Sequence, residues 1–184
     1  YVLFMGDYEQ AAPWSENSMK GCKRFLDRIW ALQDKIVDGD EYRPELRAAM
    51  HRTIKKVSKD IEDMKFNTAV AAMMTLINNI YDIGTINRAE YRDLLIMLNP
   101  FAPHITEELW EMVGLEGKIY QTTWPEYDEA KTVNDTIEIG VQVNGKLRST
   151  IVIPNGADKD TVLGIAKDDE KIKFLVDMSY ELTK

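Results

Sequence analysis

The sequence predicts a mainly α-helical fold: a helical bundle over residues 1–125, followed by a small, truncated α+β module over 126–184. Three observations carry that expectation. Through the first two thirds of the chain apolar residues recur every three or four positions, the period of one helix face. Prolines, glycines and asparagines interrupt these stretches at short intervals, as in a bundle with short connections. After Trp124-Pro125 the period drops to two, the alternation of a strand with one buried face.

In the first helix Ser15 or Ser18 supplies the cap, and Cys22, Phe25, Ile29, Leu32 and Ile36 form the apolar stripe before Asp38-Gly39-Asp40 ends it. Pro44 suits the first turn of the second helix, whose stripe is Leu46, Met50, Ile54, Val57, Ile61 and Met64. Asn67 or Thr68 caps the third, which runs through Val70, Met73, Met74, Ile77 and Ile80 towards Gly84. A fourth spans roughly Arg88 to Leu98, and a fifth starts near Pro103 and carries Ile105, Leu109, Trp110 and Val113.

In the module, Ile137, Ile139, Val141 and Val143 alternate with polar residues or glycine up to Asn144-Gly145, a strong hairpin signal. Leu147, Ser149, Ile151 and Ile153 return along a second strand, which Pro154-Asn155-Gly156 stops. Asp158 or Asp160 caps a short helix, and the stretch from Ile172 to Val176 fits a helix or a strand. Two strands and one helix make a thin core, so the module is expected to lean on something else or to lack a strand.

The chain has 184 residues, with 23 Lys+Arg against 31 Asp+Glu, a net charge of −8. With 45% apolar residues it can bury a real core, which excludes disorder and low-complexity classes. No apolar run approaches the roughly 20 residues of a membrane span. The start, Tyr1-Val2-Leu3, lacks an initiator Met and a basic leader, as expected of a fragment of a cytoplasmic protein. Cys22 stands alone, and His51 and His104 have no metal-site spacing, so neither a disulfide nor a metal is expected.

The acidic total conceals local basic rows. Lys20, Arg24 and Arg28 lie at i, i+4 and i+8 of the first helix. Between Leu46 and Lys59 there is no acidic residue, while Arg52, Lys55 and Lys59 lie opposite the apolar stripe with His51 and Lys56 at its borders. Lys146 and Arg148 beside the hairpin turn share strand parity, so one face is expected to carry both. Such rows hold phosphate backbones, and equally they serve as solvated faces. His104 and Glu108, one turn apart, are read as a helix start after two prolines rather than as an acid–base pair. Cys22 and the Met-rich Ala72-Met73-Met74 are read as core. The chain has no Gly-rich phosphate loop and no nucleophile–base set.

Several segments together resemble the C-terminal part of bacterial-type leucyl-tRNA synthetases, class I aminoacyl-tRNA synthetases. They are Phe4-Met5-Gly6 with Gln10, Pro13-Trp14-Ser15 and Gly21, then Arg24-Phe25-Leu26-Asp27-Arg28-Ile29-Trp30. They continue with His51-Arg52-Thr53-Ile54-Lys55-Lys56-Val57, Phe66-Asn67-Thr68-Ala69 and Pro100-Phe101-Ala102-Pro103-His104-Ile105-Thr106-Glu107-Glu108-Leu109-Trp110. The last are Trp124-Pro125-Glu126-Tyr127-Asp128 and Val141-Gln142-Val143-Asn144-Gly145-Lys146-Leu147-Arg148. Asp7 stands where the family commonly has Pro. Neither the His-Ile-Gly-His nor the Lys-Met-Ser-Lys-Ser signature of class I chemistry is present.

The resemblance implies an anticodon-binding-type helical domain and part of a small C-terminal domain, engaging tRNA(Leu) through its backbone without reading anticodon bases. It implies no catalytic residue here and no cofactor of this chain's own. ATP and Mg belong to the parent leucine-tRNA ligase, whose N-terminal catalytic and editing domains are the other expected partners. The candidate tRNA contacts are Lys20, Arg24, Arg28, His51, Arg52, Lys55, Lys56, Lys59, Lys146 and Arg148. The alternative reading is a non-catalytic helical scaffold for other proteins.

Overall fold

The computed structural model describes residues 1–6, 11, 13–134, 136–143 and 145–173. Asp7, Gln10, Asn144 and the stretch from residue 174 through Val176 lie outside the described residues. The chain forms two compact units, residues 1–132 and 133–184. Residues 124–132 therefore pack with the first unit, although the change of sequence period starts at Trp124-Pro125.

The first unit contains α1 (Glu16–Ala31), β1 (Ile36–Val37), α2 (Pro44–Glu62), α3 (Phe66–Ile83), β2 (Ile86–Asn87), α4 (Arg88–Leu98) and α5 (Pro103–Met112). Its core draws on every helix, with Ile29, Met50, Ile54, Met73, Ile77, Leu94 and Leu109 fully buried. Ser15 caps α1 by accepting from the Ser18 N–H at 3.3 Å. The α-helix stops at Ala31, short of the predicted end. Leu32 lies in a 3-10 turn, and Ile36 pairs in parallel with Ile86. That pairing spans 50 residues of sequence, so no local periodicity could announce it.

Pro44 occupies the first turn of α2 as expected. The end of this helix differs from the expectation, because Met64 lies beyond it, 59% exposed and with φ +60°. The Lys65 N–H reaches the Asp60 carbonyl at 2.7 Å and the Met64 N–H reaches that of Ile61 at 3.2 Å, a Schellman closure with methionine where glycine is usual. Replacing Met64 with glycine should therefore stabilise the protein by about 0.5–1 kcal/mol, visible as a higher urea midpoint at unchanged slope. A lower midpoint would show that the Met64 side chain contributes more than its backbone strain costs.

The cap of α3 also differs. The helix starts at Phe66, and Thr68 donates its hydroxyl to the buried Asp60 carboxylate at 2.7 Å instead of capping. Gly84, with φ +90°, ends α3 in the left-handed conformation and donates its N–H to the Ile80 carbonyl.

The second unit is an antiparallel pair, β3 (Thr136–Val143) and β4 (Lys146–Pro154), with α6 (Lys159–Asp168). Among the described residues of this unit the buried apolar ones are Ile151, Ile153 and Ile172. Asp158 caps α6 through the Thr161 N–H at 2.7 Å, and residues 170–173 are helical.

Candidate nucleic-acid interface

Helix α3 lies between the two basic helices: α2 packs along it, and α1 meets it through Arg28. Its outward stripe is Ala71, Thr75, Asn78 and Asp82, small or short side chains with no cation. On one side Arg28 donates to Asn78 Oδ1 at 2.7 Å and stacks 4.3 Å from the Tyr81 ring centre, while the Tyr81 hydroxyl donates to the Arg28 carbonyl at 2.9 Å. On the other side a groove of about 850 Å³ runs between α2 and α3, lined by Arg52, Lys55, Lys56, Lys59 and Lys65 with Asp60 and Asp63 among them, against Thr68, Thr75 and Asn79. The two basic rows thus flank a low helical floor that a sugar–phosphate backbone could approach closely.

The ten predicted residues fare differently. Lys20 and Arg24 are exposed and make no hydrogen bond or ion pair among the described residues. Arg28 is committed to α3. Lys56 donates to the buried Asp60 at 2.6 Å and Lys59 pairs with Asp63 at 3.0 Å, each one helical turn on. Lys55 holds Glu129 at 2.6 Å, and Arg52 donates to the Thr132 carbonyl at 2.8 Å. The hydrogen bond to Glu129 raises the Lys55 pKa, and that to Asp63 raises the Lys59 pKa, so both stay protonated.

His51 does not belong with the exposed cations. It is 8% exposed, lies edge-on to Tyr42, and its Nδ1 accepts the Asp128 N–H at 3.1 Å. Burial lowers its pKa first, helped by Lys131 and Arg47 and opposed by Asp128 and Asp93. Its contribution to stability is therefore complete above the ordinary value of 6.5 and is lost as the pH falls through and below it. His51→Gln, whose amide oxygen can still accept, should flatten the rise of stability between about pH 5 and 7. Urea midpoints across that range decide it, and an unchanged slope would remove His51 as the cause.

Lys146 and Arg148 are both exposed on β4. The register there pairs Val141 with Ser149 and Gln142 with Leu147, leaving Arg148 as the extra residue of a bulge. Strict alternation is broken between the two cations, so parity no longer fixes a shared face. Leu147, 64% exposed, lies over Gly140. His104 and Glu108 are exposed with no bond between them, and Cys22 is half-buried beside a small apolar cavity. Among the described residues no group of side chains could hold a metal ion, and no helix is long and apolar enough to cross a membrane.

A second cleft, about 940 Å³, has Arg47, Arg92 and Lys131 mixed with Asp40, Glu41, Asp93, Glu116 and Glu126. Arg92 is bound to Asp93 at 2.8 Å, which also accepts the Tyr42 hydroxyl. Burial, with the bond to Asp93, pushes the Tyr42 pKa far above its ordinary value. Acids thus balance the cations of this cleft, as they do Lys55, Lys56 and Lys59 on α2, whereas Lys20 and Arg24 on α1 make no ion pair among the described residues.

The same face carries Lys65, Thr75, Asn78 and Asn79, which the sequence analysis did not single out. A signal existed, since Ala71, Thr75, Asn78 and Asp82 recur with helical spacing as a small, polar stripe.

Comparison with known proteins identifies the family. Residues 44–163 match the family described as the anticodon-binding domain of tRNA ligase. The chain is 52% identical over 177 residues to the leucine–tRNA ligase of Alkaliphilus oremlandii, covering 96% of this chain and 22% of that protein. It is 39% identical over 186 residues to the leucine–tRNA ligase of Chlorobium phaeobacteroides, covering 97% and 23%. Among solved structures it is similar to LeuRS in the ternary complex of the Agrobacterium radiobacter enzyme with tRNA and LeuAMS, with TM-score 0.68, 28% identity and coverage of 96% and 26%. The chain spans less than a quarter of the length of these curated relatives. The match from the first turn of α2 to α6 takes in more than half of the sequence, and the chain belongs to the anticodon-binding domain family of tRNA ligases.

Proposed function

We propose that this chain is the tRNA-binding C-terminal portion of a cytoplasmic leucine–tRNA ligase. In the intact enzyme it holds tRNA(Leu) so that the acceptor end reaches catalytic domains elsewhere in the same protein, where ATP and Mg support attachment of leucine. Its contribution to catalysis is positional, converting an encounter with tRNA into a fixed geometry. The observation that carries this reading is the pair of basic rows on α1 and α2 flanking the small polar stripe of α3. Backbone phosphates supply affinity by counterion release, so recognition is of shape and backbone.

The test is a titration of a tRNA(Leu) transcript into the 184-residue chain at several salt concentrations. The expected result is binding whose logarithmic affinity falls linearly with the logarithm of salt, with a slope of several units. Binding that ignores salt would rule out the backbone reading.

A further inference from the structure

The α2 row is already occupied. Residues 124–132 lie along the helix and are fastened to four of its side chains. Trp124 Nε1 donates to Ser58 Oγ at 2.8 Å, and the Asp128 N–H donates to His51 Nδ1 at 3.1 Å. Lys55 Nζ donates to both Glu129 carboxylate oxygens at 2.6 and 2.7 Å, and Arg52 Nη1 donates to the Thr132 carbonyl at 2.8 Å. A 3-10 turn, Glu129–Thr132, presents the carboxylate, and the Thr132 hydroxyl closes that turn on the Glu129 carbonyl at 2.8 Å.

Two kinds of contact are present. The indole–hydroxyl and amide–imidazole bonds anchor the segment without using a cation of the row. The Glu129 carboxylate and the Thr132 carbonyl, by contrast, sit on Lys55 and Arg52 as the anionic and carbonyl oxygens of a ligand would. Because the anchors tether Glu129 beside Lys55, its local concentration there is high without any external anion. The pair is also open to water, with side chains 45% and 66% exposed, so it is weak enough to exchange.

We propose that the 124–132 segment is an intramolecular competitor for the polynucleotide surface: Glu129 occupies Lys55 in place of a phosphate and must swing aside when the polynucleotide binds. This rests on the tRNA reading above. Its consequence is that the affinity of the surface is set below what its cations alone would give.

The experiment compares the wild-type chain with Glu129→Gln, Lys55→Gln and the double variant, each titrated with the same tRNA(Leu) transcript between about 50 and 200 mM salt. Glu129→Gln keeps the shape and the anchors but removes the charge. It should tighten binding about two- to fivefold at low salt, with a slightly steeper salt slope because salt also weakens the competing Lys55–Glu129 pair of the wild type. In the Lys55→Gln background the same change should have no effect. If the wild type binds the transcript while Glu129→Gln leaves affinity and slope unchanged, the competitor is refuted and the tRNA reading stands. A gain that persists without Lys55 also refutes it, because the effect is then a general one of charge. If only Glu129→Gln binds, the proposal is supported in its strongest form. If no variant binds, both readings fail.

Discussion

Glu90→Ala should cost this protein about 3–5 kcal/mol, a large part of the stability of an ordinary domain. Glu90 is fully buried, and its carboxylate serves two helix starts. In α4 it completes a capping box: Asn87 Oδ1 accepts the Glu90 N–H at 2.9 Å, and Glu90 Oε2 accepts the Asn87 N–H at 2.9 Å. At the start of α2, Glu90 Oε1 accepts the Arg43 backbone N–H at 2.9 Å, and the Arg43 guanidinium grips the same carboxylate with Nη2 at 2.8 Å. Arg43 also donates to the Thr85 hydroxyl and carbonyl, at 2.8 and 2.9 Å. Removing the carboxylate leaves a half-buried guanidinium and two backbone N–H groups without acceptors, so the penalty is one of desolvation rather than of a lost surface pair. Glu90→Gln keeps the shape and one acceptor oxygen and should cost roughly half as much. Urea unfolding at constant slope gives both values. A loss under about 1 kcal/mol for the alanine variant would mean that water replaces the carboxylate, contrary to its burial.

The second large effect concerns binding. Arg24→Glu combined with Lys59→Glu should weaken tRNA(Leu) binding about tenfold for each reversed position, or roughly a hundredfold together. Arg24 makes no hydrogen bond or ion pair among the described residues, and Lys59 pairs with the exposed Asp63, with Glu62 and Asp60 also near enough to act on its charge. On the proposed face the reversal would remove a phosphate contact and add repulsion on each side of α3, and urea unfolding of the same variant checks that it remains folded. Lys55 is a poorer choice, since a carboxylate there would face Glu129 and dislodge the segment. The salt slope should become shallower by nearly two units. Lys118→Glu, a reversal of the same size beside Glu107 and Glu111, is the matched control and should change affinity much less. A scaffold for proteins would show no tRNA effect from either. Equal losses from the control and the double variant would show that net charge, not the α1–α3–α2 face, governs binding.

The sequence by itself determined the five helices of the first unit, the hairpin and α6, because each depends on residues three or four apart or on strict alternation. Pro44, Gly84, Ser15 and Asp158 mark boundaries through local backbone chemistry, and they sit where that chemistry places them. Asn87 and Glu90 also spelled a capping box three residues apart, a legible signal whose second role is not local. That Glu90 reaches Arg43, 47 residues away, follows only from the packing of α4 against the start of α2.

The basic rows were legible as rows, since helical spacing places Lys20, Arg24 and Arg28 together, and Arg52, Lys55 and Lys59 together. Which of these cations are available was not legible. Arg28 is taken by α3, His51 is buried as an acceptor, and Lys55 and Arg52 are covered by residues some 74 to 80 positions later. Periodicity states which face a side chain lies on, whereas only the tertiary structure brings distant acceptors to that face. An ion pair or hydrogen bond depends on separation in space, and a helical bundle decides that separation through its turns and its core.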